Sequence, residues 1–114
     1  MANKTLFEKI IDREIPADIV HEDERCIAFR DINPQAPVHV LVCPRKPLAK
    51  VAEGTVEDAE LLGHLLLTAA GVAEREGCGD GFRLVVNNGE AAGQTVFHLH
   101  VHVLGGRSLG WPPG

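Results

Sequence analysis

Apolar positions along this chain recur at two periods. Leu61, Leu62, Leu65, Leu66, Ala69, Val72 and Ala73 fall at helical spacing and predict one long amphipathic helix. Thr55 is its expected cap, with Asp58 at the third helical position, and Gly77 and Gly79 are its expected end. A shorter helix should follow Thr5, because Thr5-Leu6-Phe7-Glu8 fits a capping box. It would turn Phe7, Ile10 and Ile11 inward through about Asp12, ahead of Pro16. The other apolar runs are short. Residues 19–20, 26–29, 38–43 and 82–86 read as strands separated by charged turns, prolines or glycines. Residues 31–37 form a loop stiffened by two prolines, and residues 87–93 a flexible Gly-containing loop. The tail 105–114 carries no periodic pattern. Strands clustered around one long helix imply an α+β fold with an antiparallel sheet.

The strictest alternation is Phe97-His98-Leu99-His100-Val101-His102-Val103-Leu104. Read as a strand, it puts three imidazoles on one face and Leu99, Val101 and Val103 on the other. Three polar, titratable rings on one side of a core strand point to a ligand. Imidazole offers that ligand a nucleophile, a base or a metal donor near neutral pH. Three readings stand on this pattern alone: nucleophilic or acid–base chemistry, a zinc site completed by a ligand from elsewhere, or polar residues on an exposed sheet face. Gly93-Gln94-Thr95 lies just ahead and can present backbone N–H groups and a hydroxyl, which suits phosphate oxygens. The local sequence holds no acidic groups to support a metal, which weighs against zinc.

Composition narrows the choice. A length of 114 residues implies one domain, small enough that a dimer is expected. Eleven Lys and Arg against sixteen Asp and Glu give a net charge of −5, which argues against sequence-independent nucleic-acid binding. The three cysteines, Cys26, Cys43 and Cys78, form no CxxC pair and are read as reduced packing residues of a cytoplasmic protein. Charges from Lys4 to Glu14 exclude a signal-peptide core, and no apolar run reaches the roughly 18 residues of a membrane span. His21 and His64 are read as structural or solvated. Trp111, alone in a Gly/Pro-rich tail, is read as an anchor.

The chain also resembles a known family. His98-Leu99-His100-Val101-His102-Val103-Leu104 matches the histidine triad (HIT) pattern, His-φ-His-φ-His-φ-φ with φ apolar. Leu6-Phe7 through Ile15-Pro16, Cys26-Ile27-Ala28-Phe29-Arg30-Asp31-Ile32, Pro34-Gln35-Ala36-Pro37-Val38-His39 and the tail from Gly105 through Trp111-Pro112-Pro113-Gly114 look like its nucleotide-binding branch. The resemblance implies a single HIT domain over residues 1–114, with a five-stranded antiparallel sheet, one long and one short helix on one side of it, and a homodimer with a ten-stranded sheet. It implies a purine nucleoside phosphoramidase that cleaves the P–N bond of nucleoside 5′-phosphoramidates through a nucleotidyl-histidine. Beside it, the residues themselves lead us to expect no cofactor, no metal, and no nucleic-acid or membrane partner. His100 matches the nucleophile, His102 the group that contacts phosphate and moves a proton to the leaving group, and His98 and His39 supporting histidines. Asp31 matches the carboxylate that takes the ribose hydroxyls. Phe7, Ile10, Phe29 and Ile32 would line the base pocket, and Asn87, Gly93, Gln94 and Thr95 the phosphate and ribose side. The tail, residues 105–114 with Trp111, would lie at the dimer interface near the active site. Pro47 and Gly110 stand where some relatives carry histidine, so the resemblance does not extend to those two places. Gly93-Gln94-Thr95-Val96 and residues 39–44 also look like the sister branch that hydrolyses dinucleoside polyphosphates. A nucleotide-sensing interaction module with slow turnover is the non-enzymatic alternative.

Overall fold

A computed structural model of the protein describes residues 3–114. The chain runs α1 (Leu6–Ile11), β1 (Ile19–Glu22), β2 (Cys26–Arg30), β3 (Val38–Pro44), α2 (Ala59–Arg75), β4 (Phe82–Val85) and β5 (Val101–Gly105). The five strands form one antiparallel sheet in the order β1-β2-β3-β5-β4. This is the α+β architecture read from the sequence.

The sheet has two apolar faces because β2 and β3 are apolar at successive positions, not alternate ones. Cys26, Ala28, Val40, Val42, Val101 and Val103 face α2 and meet Leu65, Ala69, Val72 and Ala73. Ile27, Phe29, Leu41 and Cys43 face the other way and are covered by Phe7 and Ile10 of α1. The helices therefore lie on opposite faces rather than on one side. Burying one of these aliphatic side chains fully is worth about 1.5–3 kcal/mol. The capping box at α1 is present, with Glu8 N donating to Thr5 Oγ1 at 3.1 Å and Thr5 N to Glu8 Oε1 at 3.0 Å.

Two local expectations shift. Thr55 caps a short 3₁₀ turn, Val56–Asp58, and α2 begins only after it. Asp58 is turned inward there, pairing with Lys46 at 2.6 Å. The apolar face of α2 is also wider than the sheet covers: Leu66 stays 47% exposed. Gly77 ends the helix as expected, at φ +86°, with Cys78 N donating to Ala73 O at 2.9 Å. No helix among the described residues is long and apolar enough to cross a membrane. All three cysteines are buried and free. Burial pushes their thiols up, that of Cys26 to about 11.

Candidate active site

The histidine run is not a strand throughout. Regular pairing starts at Val101, so only His102 of the three lies on β5, and His98 and His100 precede it. The chain there bonds outside the sheet: Leu99 N donates to Leu48 O at 2.7 Å, and His100 Nδ1 meets His98 O at 2.8 Å. The alternation survives in packing all the same. Leu99, Val101 and Val103 enter the α2 core, while Phe7 of α1 lies edge-on to His100 at 4.8 Å. His100 and His102 are 4.9 Å apart between ring centres, and His102 and His39 are 5.2 Å apart. His39 joins them because β3 neighbours β5, with Leu41 opposite His102 and His39 opposite Leu104.

The hydrogen bonds assign each ring its tautomer. A carbonyl can only accept, so His100 Nδ1 carries the proton it shares with His98 O, and Nε2 keeps a lone pair. By the same rule His98 Nε2 donates to Pro44 O at 2.6 Å. Gln35 N donates to His39 Nδ1 at 3.0 Å, so the proton of neutral His39 sits on Nε2. That proton points to His102 Nδ1, 2.9 Å away, and leaves the proton of His102 on Nε2. His100 thus presents a bare nitrogen and His102 a bound proton.

Burial lowers the pKa of His100, and the neighbouring His98 lowers it further, against the pull of the His98 carbonyl bond and Asp31. Burial lowers that of His39 too. His102 is brought down to about 4, by burial first and then by the charges its neighbours His100 and His39 would carry. All three are neutral at pH 7. Protonation then favours the unfolded chain, whose free histidines titrate at about 6.5. Their contribution to stability is complete above that pH and is lost as pH falls below it, that of His102 toward about 4. An NMR titration should show the His102 ring still neutral at pH 5.5 and titrating near 4. A midpoint at 6.5 or above would contradict this burial.

His100 and His102 open on a cavity of about 260 Å³. Of the residues read from the sequence, Phe7, Ile10, Phe29, Asp31, Ile32 and Thr95 line it as well. Ile32 is a rim residue, 98% exposed. The carboxylate of Asp31 has Oδ2 3.5 Å from His39 Nε2, and its Oδ1 accepts from Asn33 N at 2.8 Å. The cavity thus joins an apolar lining to a carboxylate and two imidazoles, with Asp31 close beside His102, which suits a flat apolar ring carrying hydroxyl groups and an electrophile.

Other residues are placed elsewhere. His98 is 1% exposed and acts as a buried strut to Pro44 O, not as part of an open face. His39 stands behind His102. Gln94 has no free group for a phosphate. Its Oε1 accepts from Gly89 N at 2.8 Å, its Nε2 donates to Ala49 O at 2.8 Å and Val96 O at 3.1 Å, and its backbone N donates to Gly89 O at 3.1 Å. It brackets the loop instead. Asn87 and Gly93 neighbour each other in that loop and do not line the cavity. Trp111 is 83% exposed and does not reach its own chain's cavity. Sequence reasoning missed Leu41 and Val96 as lining residues, although Leu41 shares the parity of His39 on β3. It also left His21 and His64 apart, whereas both reach the same oxygen of Asp23.

The profile of the HIT domain family matches residues 12–109. The chain is 61% identical over 114 residues to an uncharacterized HIT-like protein of Synechococcus elongatus, covering 100% of both. It is 51% identical over 112 residues to a 14 kDa zinc-binding protein of Zea mays, covering 96% of this chain and 88% of that one. Its structure is similar to the crystal structure of a HIT family hydrolase from Legionella pneumophila, with a TM-score of 0.95 and 47% identity over 97% of this chain and 100% of the other.

Proposed function

Because the chain belongs to the HIT domain family, we propose that it is a nucleotide-binding hydrolase, and more narrowly a purine nucleoside phosphoramidase acting through a nucleotidyl-histidine. The observation that carries this reading is the pair of tautomers: a lone pair on His100 Nε2 beside a proton on His102 Nε2. His100 Nε2 would attack the α-phosphorus. The P–N bond breaks, and the departing nitrogen leaves as the neutral amine on taking up one solvent proton, held by a hydrogen bond from the Nε2 proton of His102, which His39 orients. Water then attacks phosphorus, gives up a proton to solvent, and frees His100 and the nucleoside monophosphate. In this reading Asp31 accepts from the ribose hydroxyls, and Phe7, Ile10, Phe29 and Ile32 hold the base. His98 fixes the backbone whose carbonyl orients His100. Thr95 faces the phosphate, and Asn87, Gly93 and Gln94 shape the loop that carries it.

We take residues 1–114 as one HIT domain of a cytoplasmic protein. The free edge of β4 and the exposed Leu66, Leu67 and Val86 beside it would pair with a second copy, extending the sheet to ten strands. The tail with Trp111 would then reach the partner's cavity.

A zinc hydrolase has one observation in its favour: donor atoms of Asp31, His39 and His102 lie within 4.8 Å of one another. The donors fit poorly. His39 is held at both nitrogens, by Gln35 N and by His102. The 2.9 Å between His39 Nε2 and His102 Nδ1 is also shorter than the roughly 3.3 Å between tetrahedral zinc ligands. The test is turnover of adenosine 5′-monophosphoramidate with and without a strong chelator. Release of AMP and ammonia at equal rates is expected. A rate lost on chelation and restored by zinc would favour the metal reading. Cleavage of a dinucleoside polyphosphate in its place would favour the sister branch, and AMP binding without turnover a sensing module.

A further inference from the structure

We propose that His21, Asp23, Cys26 and His64 form a second site that binds one divalent d-block cation of the zinc type. Three potential ligands from three elements converge on one carboxylate oxygen. His21 Nε2 on β1 is 2.7 Å from Asp23 Oδ2, His64 Nε2 on α2 is 2.8 Å from it, and Cys26 Sγ on β2 is 3.5 Å from it. Donor atoms of His21, Asp23 and Cys26 all lie within 4.8 Å of one another.

Asp23 is aimed independently of these groups. Its Oδ1 accepts from Arg25 N at 2.7 Å and Cys26 N at 2.9 Å, which leaves Oδ2 facing the cluster. Burial would raise this carboxyl, but the bonds from His21, Arg25 N, His64 and Cys26 N outweigh it and hold it ionised well below the usual range. Cys26 is fully buried beneath it. The site lies at the far end of β2 from Asp31, about 17 Å along an extended strand.

Nitrogen, sulfur and carboxylate donors together suit zinc and its neighbours, not magnesium or calcium. On binding, the thiol releases its proton, and each imidazole moves its proton from Nε2 to Nδ1. Thiolate and carboxylate then cancel the charge of the ion, so the guanidinium groups of Arg45 and Arg75 nearby meet no net cation. Arg75, 3.4 Å from His21 Nδ1, is an exposed side chain and can withdraw. The two imidazole–carboxylate contacts must lengthen by roughly 0.5 Å to reach tetrahedral separations, and His64, which is outside the trio whose donors lie within 4.8 Å of one another, must swing toward His21 and Cys26. His21 and His64, each partly exposed, have that freedom, unlike the buried and doubly held His39.

Cobalt(II) titration of the metal-stripped protein tests this. One equivalent should bind, with a thiolate-to-cobalt charge-transfer band and release of the thiol proton. Cys26→Ser should lose the band. His21→Gln, on an edge strand outside the core, should fold, weaken binding about tenfold or more, and leave phosphoramidate turnover unchanged. His102→Asn should bind as the wild type does. Absence of the band, its survival in Cys26→Ser, or binding lost in His102→Asn but kept in His21→Gln would overturn the proposal.

Discussion

His100→Ala should abolish phosphoramidate turnover while leaving nucleoside monophosphate affinity nearly unchanged. Removing an obligate nucleophile costs on the order of a millionfold in rate. The apolar wall and Asp31, which carry affinity in this reading, are untouched by the change. The His100 side chain also makes no hydrogen bond beyond the one to the His98 carbonyl two residues back, so the variant should fold. A quenched wild-type reaction examined by mass spectrometry should carry the nucleotidyl group on His100 alone. Turnover within tenfold of wild type, or an adduct on His102, would show that the tautomer argument picked the wrong ring.

Gln94→Ala should cost about 1–3 kcal/mol of stability, since three part-buried backbone groups lose their partner and water restores only part of that bonding. Gly89 N, Ala49 O and Val96 O all lose their partner, and Gln94 itself is only 2% exposed. Denaturant unfolding should give a lower midpoint at an unchanged slope. Nucleotide affinity measured well below that midpoint should change far less. The opposite pattern, full stability with lost affinity, would return Gln94 to the phosphate-binding role its place ahead of the triad suggests.

The contrast between these two residues shows what a sequence reveals about a site. His100 was identifiable because the alternation of histidine with Leu99 and Val101 records a face, and a face is a local property of an extended chain. That held even though the chain at 98–100 is irregular, because Leu99 and Val101 still fill the core under α2. The role of Gln94 was not identifiable. An amide beside a Gly-rich loop can meet a phosphate or its own loop equally well, and only its contacts, one of them 45 residues away, distinguish the two. His98 shows the same limit: its place in the triad is visible, but its partner, the Pro44 carbonyl, lies 54 residues away on β3.

What the sequence determined by itself is what depends on near neighbours. The capping box at Thr5, the places of the first four strands, the helical face from Leu62 to Ala73 and the common face of the histidines all follow from side chains within a few residues of one another. Tertiary structure decided which separated residues share a point in space. It set α1 on the face opposite α2, because β2 and β3 bury both their sides. It stood His39 behind His102 and so chose the nitrogen that holds each proton. It also brought His64 to the turn that carries Asp23, across 41 positions of chain. Periodicity states which way a side chain points, but its partner is set by strand order and by the packing of helix on sheet, which balance burial over the whole chain.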